Sequence, residues 1–427
     1  MRMAWTGWLA FYLALMSPTI CAEDDTAHVS PKQPTSISAG VNHPKHLEAP
    51  IVLLVSFDGF RADYLDRYDL PSFQRFMREG VRAQGLIPVF PSVTSPNHYS
   101  IVTGLYPERH GIVGNVFYDP NREEVFTVSS STNGSWYRGD PIWRVAESQG
   151  MVTACHSWPG CPATIKKTRS TFWKSYNGTV SNDGRVDQVL SWLQLPQTQR
   201  PHFLTLYMGD LDDAGHRFGP DSPEVQRAAE KVDHELGRLL SGLDALPSRQ
   251  HIYVILVSDH GMRHVDRASF EWMDDLGLDL SEWEWKGMLG AYASLHATPG
   301  KHDPVSMRDQ INSKLKHGRA FLREDTPAAL HYRQDPRIGD VVILMEQPHL
   351  IAWRIDDPSI RGDHGWNPSD PNMHGVFLAR GPGIKRGTRV PAFENVDIYP
   401  FLAELLHVSI SEDIDGQAGR LRRLIME

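Results

Sequence analysis

The chain has 427 residues, 41% hydrophobic and 22% charged, with a formal net charge of −9 at pH 7. That apolar share supports a sizeable core and excludes a disordered tail protein. The 52 acidic against 43 basic residues, with no Lys/Arg block, exclude a nucleic-acid scaffold.

Residues 1–22 read as a secretory signal, with Arg2 at the start, an apolar run from Trp8 to Met16 and a break at Ser17-Pro18. The run falls short of the roughly 20 apolar residues that a spanning helix needs. An uncleaved anchor is the competing reading. A lipoprotein cysteine at Cys21 is disfavoured because Pro18-Thr19-Ile20 lacks small residues before it. Residues 23–48 are polar and rich in Pro and Ser, which predicts a flexible leader. From residue 49 to 427 there is no internal repeat, and the body reads as one continuous α/β unit, exported to a periplasmic or extracellular space.

Ile51-Val52-Leu53-Leu54-Val55-Ser56-Phe57 is an unbroken apolar run ending at Asp58-Gly59. A second stretch, Gly85 to Phe90, leads into Pro91-Ser92-Val93-Thr94-Ser95-Pro96, where a helix is expected to start and to run to Thr103 before Gly104. A hydroxyl at a helix N-terminus meets N–H groups that favour negative charge and bind phosphate. The bland alternative for Thr94 is a plain N-cap. Cys155 and Cys161 flank Pro159-Gly160, a turn that suits a disulfide in an oxidising compartment; a zinc pair is the alternative, with no second pair to complete it.

His202 to Met208 forms another apolar run leading to Asp210 and Asp212, and Ile252 to Ser258 ends at Asp259-His260-Gly261. Such runs predict strands buried on both faces of a mostly parallel sheet covered by helices. Between them, Val225, Ala229, Val232, Leu236, Leu239 and Leu243 keep helical spacing after Ser222-Pro223.

Ligands bind beyond the carboxyl ends of strands in an open α/β sheet. One aspartate there is ordinarily a turn residue or cap. Three converging ends, with His216 four residues after Asp212 and His260 beside Asp259, point instead to a metal centre. His364, between Gly362-Asp363 and Gly365, adds an imidazole where glycines permit close approach. Carboxylates mixed with imidazoles and lacking thiolates suit Zn²⁺ or a similar first-row ion, and six such ligands fit two ions. Metal coordination could then activate Thr94 as a nucleophile.

Several motifs together resemble one family. They are Ser56-Phe57-Asp58-Gly59, Thr94-Ser95-Pro96-Asn97-His98-Tyr99, Thr103-Gly104-Leu105-Tyr106-Pro107, Asp212-Asp213-Ala214-Gly215-His216 and Ser258-Asp259-His260-Gly261-Met262. In this order, and with Asn395-Val396-Asp397-Ile398-Tyr399-Pro400 near the end, they resemble the nucleotide pyrophosphatase/phosphodiesterase family of the alkaline phosphatase superfamily. The resemblance implies an alkaline phosphatase-like α/β fold and a catalytic domain over 49–427. It implies one zinc held by Asp212, His216 and His364, and another by Asp58, Asp259, His260 and the Thr94 oxygen. It also implies that Asn115 donates to a phosphoryl oxygen and that Tyr207 lines the substrate pocket. The activity implied is hydrolysis of phosphodiester or pyrophosphate bonds in a small nucleotide, without a stable nucleic-acid partner or membrane insertion.

The sulfatase pattern in the same superfamily needs Cys or Ser where Thr94 stands, and Arg where His98 stands. A monoesterase would need an added cation, and the motifs show none. A degenerate binding protein would have lost a ligand, and every ligand position is filled. Many nucleotide-cleaving members place an aromatic after the nucleophile. Ser95 departs from that and resembles the choline-phospholipid branch; Trp158, Phe172, Trp173 and Tyr176 either replace the aromatic or pack the core.

Overall fold

The computed structural model describes residues 40–280, 283–284, 289–298, 300–301, 303–354, 359–411 and 413–426. The expected signal segment lies outside them. In chain order, the strands of the two larger sheets are β1 (Ile51–Phe57), β2 (Val81–Ala83), β3 (Thr153–His156), β4 (Phe172–Lys174), β5 (Phe203–Met208), β6 (Ile252–Val257), β7 (Trp283–Glu284), β8 (Tyr292–Ala297), β9 (Gly318–Leu322), β10 (Val341–Met345), β11 (Phe377–Arg380) and β12 (Thr388–Val390). The helices used below are α1 (Pro71–Glu79), α2 (Thr94–Thr103), α3 (Asn182–Leu193), α4 (Asp210–Phe218), α5 (Pro223–Asp244), α6 (Pro304–Asn312) and α7 (Ile398–Leu406).

The central sheet has eight strands in the order β12-β2-β11-β6-β1-β5-β3-β4. β1 pairs in parallel with β5 and β6, and β3 in parallel with β4 and β5; β11 runs antiparallel to β6 and β2. The sheet is therefore mostly parallel, as the unbroken apolar runs required. Alternate residues of β1 enter different cores. Val52 and Leu54 join Tyr99 and Ile101 of α2 and Ile398 of α7 on one face. Ile51, Leu53, Val55 and Phe57 join Phe73 of α1, Val189 of α3 and Leu236 of α5 on the other. Burying a side chain of this size contributes about 1.5–3 kcal/mol, so both helical layers are held by the same strands.

Helix α5 starts as its sequence predicts: the Ser222 hydroxyl accepts from the Val225 N–H and Pro223 occupies the first turn. A second sheet, β7-β8-β10-β9, is antiparallel and packs with α6 around Leu295, Ile311 and Ile343. Among the described residues, no helix is long and apolar enough to cross a membrane.

Residues 40–48, expected to belong to the flexible leader, include side chains packed against the body. Asn42 is buried; its Nδ2 donates to the Gln197 and Arg200 carbonyls, and its Oδ1 accepts from the Val152 N–H. His46 is buried against the Gln149 carbonyl. Polar composition concealed this because the anchors are themselves polar groups. Cys155 and Cys161 form a disulfide, as expected.

Candidate metal centre

Parallel registry brings the ends of β1, β5 and β6 to one edge of the sheet, because Phe57 pairs with Met208 and Ser56 with Val257. Asp58 follows β1 directly, Asp259 follows β6 after Ser258, and Asp212 enters on the first turn of α4. Gly59, at φ +67°, turns the chain away from β1, and its N–H donates to Asp259 Oδ1 at 3.2 Å. His216 lies on α4 one turn after Asp212, and its Nε2 is 3.5 Å from Asp212 Oδ1. The backbone at Gly362 lies so near the Gly215 carbonyl that a Cβ would come within 2.4 Å, which brings the next loop and His364 onto the same ground.

Three imidazoles share one design. His216 Nδ1 donates to the Gly362 carbonyl at 2.9 Å, His364 Nδ1 to the Ser92 carbonyl at 2.8 Å, and His260 Nδ1 to the Gly261 carbonyl at 2.8 Å. A carbonyl only accepts, so each Nδ1 carries a proton, and in the neutral ring Nε2 keeps the lone pair that metal-ligating histidines use. His260 Nε2 lies 3.4 Å from Asp58 Oδ1 and 3.1 Å from Asp259 Oδ2; His364 Nε2 lies 3.5 Å from Asp212 Oδ1. Asp58 Oδ1, Asp212 Oδ1, Asp259 Oδ2 and His260 Nε2 are buried and have no hydrogen-bond partner.

Among the described residues, no Lys or Arg pairs with Asp58, Asp212 or Asp259. Burial raises the Asp58 carboxyl well above the usual range, and the neighbouring Asp259 and Asp212 raise it further. Burial also opposes the charge on His260, but the adjacent Asp259 and Asp58 outweigh it and hold that imidazole up to about 10. His364 is pushed well below its ordinary value by burial, then by His260 and His216. Without a metal these carboxylates hold a proton on His260; a metal bound at its Nε2 would take that proton's place, and buried carboxylates with no Lys or Arg partner are costly without such a cation. Among the described residues, three groups have their donor atoms within 4.8 Å of one another: Asp212, His216 and His364; Asp58, Asp212 and His260; and Asp58, His98 and Asp259. The donor set therefore fits a metal.

Thr94 is the first residue of α2, with Val93 in the cap position and no side-chain cap, so its hydroxyl does not serve as the plain N-cap. The next N–H, from Ser95, donates to Asn115 Oδ1 at 2.7 Å, which orients the Asn115 amide at the helix start. The Tyr207 hydroxyl donates to Asp58 Oδ2 at 2.6 Å, so this residue, expected to line the substrate pocket, also supports a carboxylate. Asp210, grouped with Asp212 in sequence, points elsewhere: Asn182 and Lys231 take its two oxygens.

His98 is the residue that motif reading missed. Its Nδ1 lies 2.9 Å from the Thr94 carbonyl and 3.5 Å from Asp259 Oδ2, and its Nε2 lies 2.8 Å from Ser56 Oγ. Its donor atoms also fall within 4.8 Å of Asp58 and Asp259, yet both ring nitrogens already have protein partners. The signal was its position four residues after Thr94, on the same helix face.

The family model for type I phosphodiesterase / nucleotide pyrophosphatase matches residues 52–367. Human ectonucleotide pyrophosphatase/phosphodiesterase family member 1 is 35% identical over 395 residues, covering 90% of this chain and 42% of its own length. Venom phosphodiesterase 2 of Crotalus adamanteus is 33% identical over 405 residues, covering 92% and 50%. The chain thus spans about half the length of these curated relatives. Among solved structures, murine ectonucleotide pyrophosphatase/phosphodiesterase 5 superposes with a TM-score of 0.83 at 29% identity, covering 88% of this chain and 100% of that one. An inactive threonine-to-alanine form of that mouse protein, in complex with AMP, gives a TM-score of 0.82. The chain belongs to the type I phosphodiesterase / nucleotide pyrophosphatase family, within the alkaline phosphatase superfamily.

Proposed function

We propose that the protein is an exported two-zinc phosphodiesterase that hydrolyses nucleotide phosphodiester or pyrophosphate bonds through a covalent phosphoryl-threonine at Thr94. The observation that carries this reading is the set of three Nδ1-anchored imidazoles facing unpartnered oxygens of Asp58, Asp212 and Asp259. Asp212, His216 and His364 would hold one zinc; Asp58, Asp259, His260 and the Thr94 oxygen would hold the other. Zinc bound there would lower the pKa of the Thr94 hydroxyl and stabilise a leaving oxygen. Three aspartates and a threonine alkoxide carry the charge of two Zn²⁺ with opposite sign, so a phosphodiester monoanion meets little net repulsion.

Thr94 would attack phosphorus in line and expel the alcohol or phosphate leaving group. Asn115, its carbonyl oxygen anchored on the Ser95 N–H, would present its amide N–H to the developing phosphoryl charge. A water would then displace the phosphoryl group from Thr94 and restore the hydroxyl. The inactive threonine-to-alanine form of the mouse relative supports a threonine nucleophile. The disulfide supports export, as do the ecto- and venom enzymes among the relatives.

Nucleotides are favoured by one aromatic side chain. Trp158 is fully buried, whereas Tyr176 is 41% exposed, with its ring edge-on to Tyr207 at 5.7 Å. Arg185 lies 4.8 Å beneath the Tyr176 ring and donates to the Asn177 and Tyr207 carbonyls, fixing that ring beside the carboxylate-bearing edge. An exposed, braced aromatic suits base stacking where Ser95 does not. The test compares p-nitrophenyl thymidine monophosphate, p-nitrophenylphosphocholine and p-nitrophenyl phosphate with zinc-loaded protein. Preference for the thymidine ester supports the nucleotide reading. Preference for the choline ester moves the enzyme to lipid headgroups, and activity on the monoester alone refutes a diesterase.

A further inference from the structure

We propose that His98 is a positioning residue that fixes the Thr94 nucleophile relative to the metal-binding strand ends; this rests on the reading of Thr94 as nucleophile. The first turn of a helix is its least restrained part, because its N–H groups lack intrahelical partners. Thr94 is the first residue of α2; Val93 in the cap position offers no side-chain bond, and Asn115 takes the Ser95 N–H but not the Thr94 backbone. In place of a cap, the His98 ring reaches back one turn. Its Nδ1 meets the Thr94 carbonyl at 2.9 Å, and because that oxygen only accepts, Nδ1 carries the proton. Nε2 then accepts from the Ser56 hydroxyl at 2.8 Å, two residues before Asp58 on β1. The same Nδ1 edge lies 3.5 Å from Asp259 Oδ2, beyond the end of β6.

One ring thus joins the residue bearing the nucleophile to both strands that end in metal-binding aspartates. The ring is itself immobilised. His98 is fully buried, the Trp158 ring stands edge-on to it at 4.9 Å, and the Tyr207 ring at 5.3 Å. The Trp158 indole N–H also donates to the His98 carbonyl at 3.3 Å, and Trp158 sits in the loop closed by Cys155 and Cys161. The Ser56, His98 and Asp259 side chains resemble a hydrolytic triad in order only. Ser56 is fully buried and the His98 proton is directed to a backbone carbonyl.

Asparagine can place a donor where Nδ1 lies; glutamine reaches only the Nε2 position. With p-nitrophenyl thymidine monophosphate, His98→Asn and Ser56→Ala keep the donor to the Thr94 carbonyl but lose the tether to β1, and both are expected to lose about three- to tenfold in kcat. His98→Gln is expected to lose about 100-fold in kcat with KM unchanged, since an ångström of misplacement at the reacting group costs on that order. Zinc content and the urea midpoint should match wild type in His98→Asn. Equal losses in the two His98 variants, or a folded, zinc-replete His98→Asn that loses more than tenfold, would overturn the proposal. Thr94→Ala, measured alongside, separates the two readings. An inactive Thr94→Ala with equivalent His98 variants removes only the positioning role, whereas an active Thr94→Ala removes the nucleophile and the proposal with it.

Discussion

The Nε2 atoms of His216 and His364 lie 3.1 Å apart, each on a ring whose Nδ1 proton is committed to a backbone carbonyl. Two lone pairs held face to face repel unless a cation sits with them. His364→Ala should therefore lower bound zinc from two to about one per chain, read by elemental analysis of dialysed protein. Two zinc retained would contradict the assignment of His364.

Tyr207 acts through Asp58. Its hydroxyl donates to the Asp58 oxygen opposite the one left for a metal. Tyr207→Phe removes that bond while keeping the ring against Tyr176 and His98. Zinc affinity, measured by competition with a chelator, should fall by about tenfold. An unchanged affinity would assign Tyr207 to the substrate alone.

Gly59 is required by its backbone and by its neighbour. At φ +67° an added Cβ would stand 2.8 Å from Asp212 Cα, an atom that cannot move without moving a ligand. Gly59→Ala should cost about 2 kcal/mol or more in urea denaturation and weaken zinc retention. A variant as stable and as zinc-replete as wild type would refute this account of the turn.

His110 predicts an acid limb of stability. Its Nδ1 accepts from the Ile112 N–H and its Nε2 faces Ser100 Oγ at 3.0 Å, so the ring is held neutral. Burial, then the Arg138 charge, pushes it down to about 3, below the ordinary value near 6.5. The folded state thus binds fewer protons than the unfolded chain between those values. The stabilisation is complete above pH 6.5 and is lost as pH falls toward 3. Urea midpoints should fall from pH 7 to pH 5 in wild type and fall less in His110→Gln. Parallel slopes would contradict it.

Much of the site was legible because linear spacing and strand ends report the same geometry. Asp58, Asp212 and Asp259 follow apolar runs, and parallel pairing carries those ends to one edge. Asp210 looked equivalent to Asp212 because sequence does not show which side of a helix start faces Lys231. The Ser92 carbonyl, partner of His364 across 272 positions, left no side-chain signature. His98 was hidden for a similar reason: its partners come from α2, β1 and the loop after β6, and only the fold assembles them. The antiparallel second sheet went unread because its strands, of 2 to 6 residues, carry no motif at their ends. The anchored residues 42–46 were concealed by polar composition.

The central claim is that Thr94 forms the covalent bond to phosphorus. The most direct measurement is mass spectrometry of zinc-loaded enzyme, acid-quenched during turnover of p-nitrophenyl thymidine monophosphate, with Thr94→Ala in parallel. The account predicts a thymidylyl adduct on the peptide containing Thr94 in wild type, and neither adduct nor turnover in the variant. Turnover by Thr94→Ala, or an adduct mapped to another residue, would contradict it.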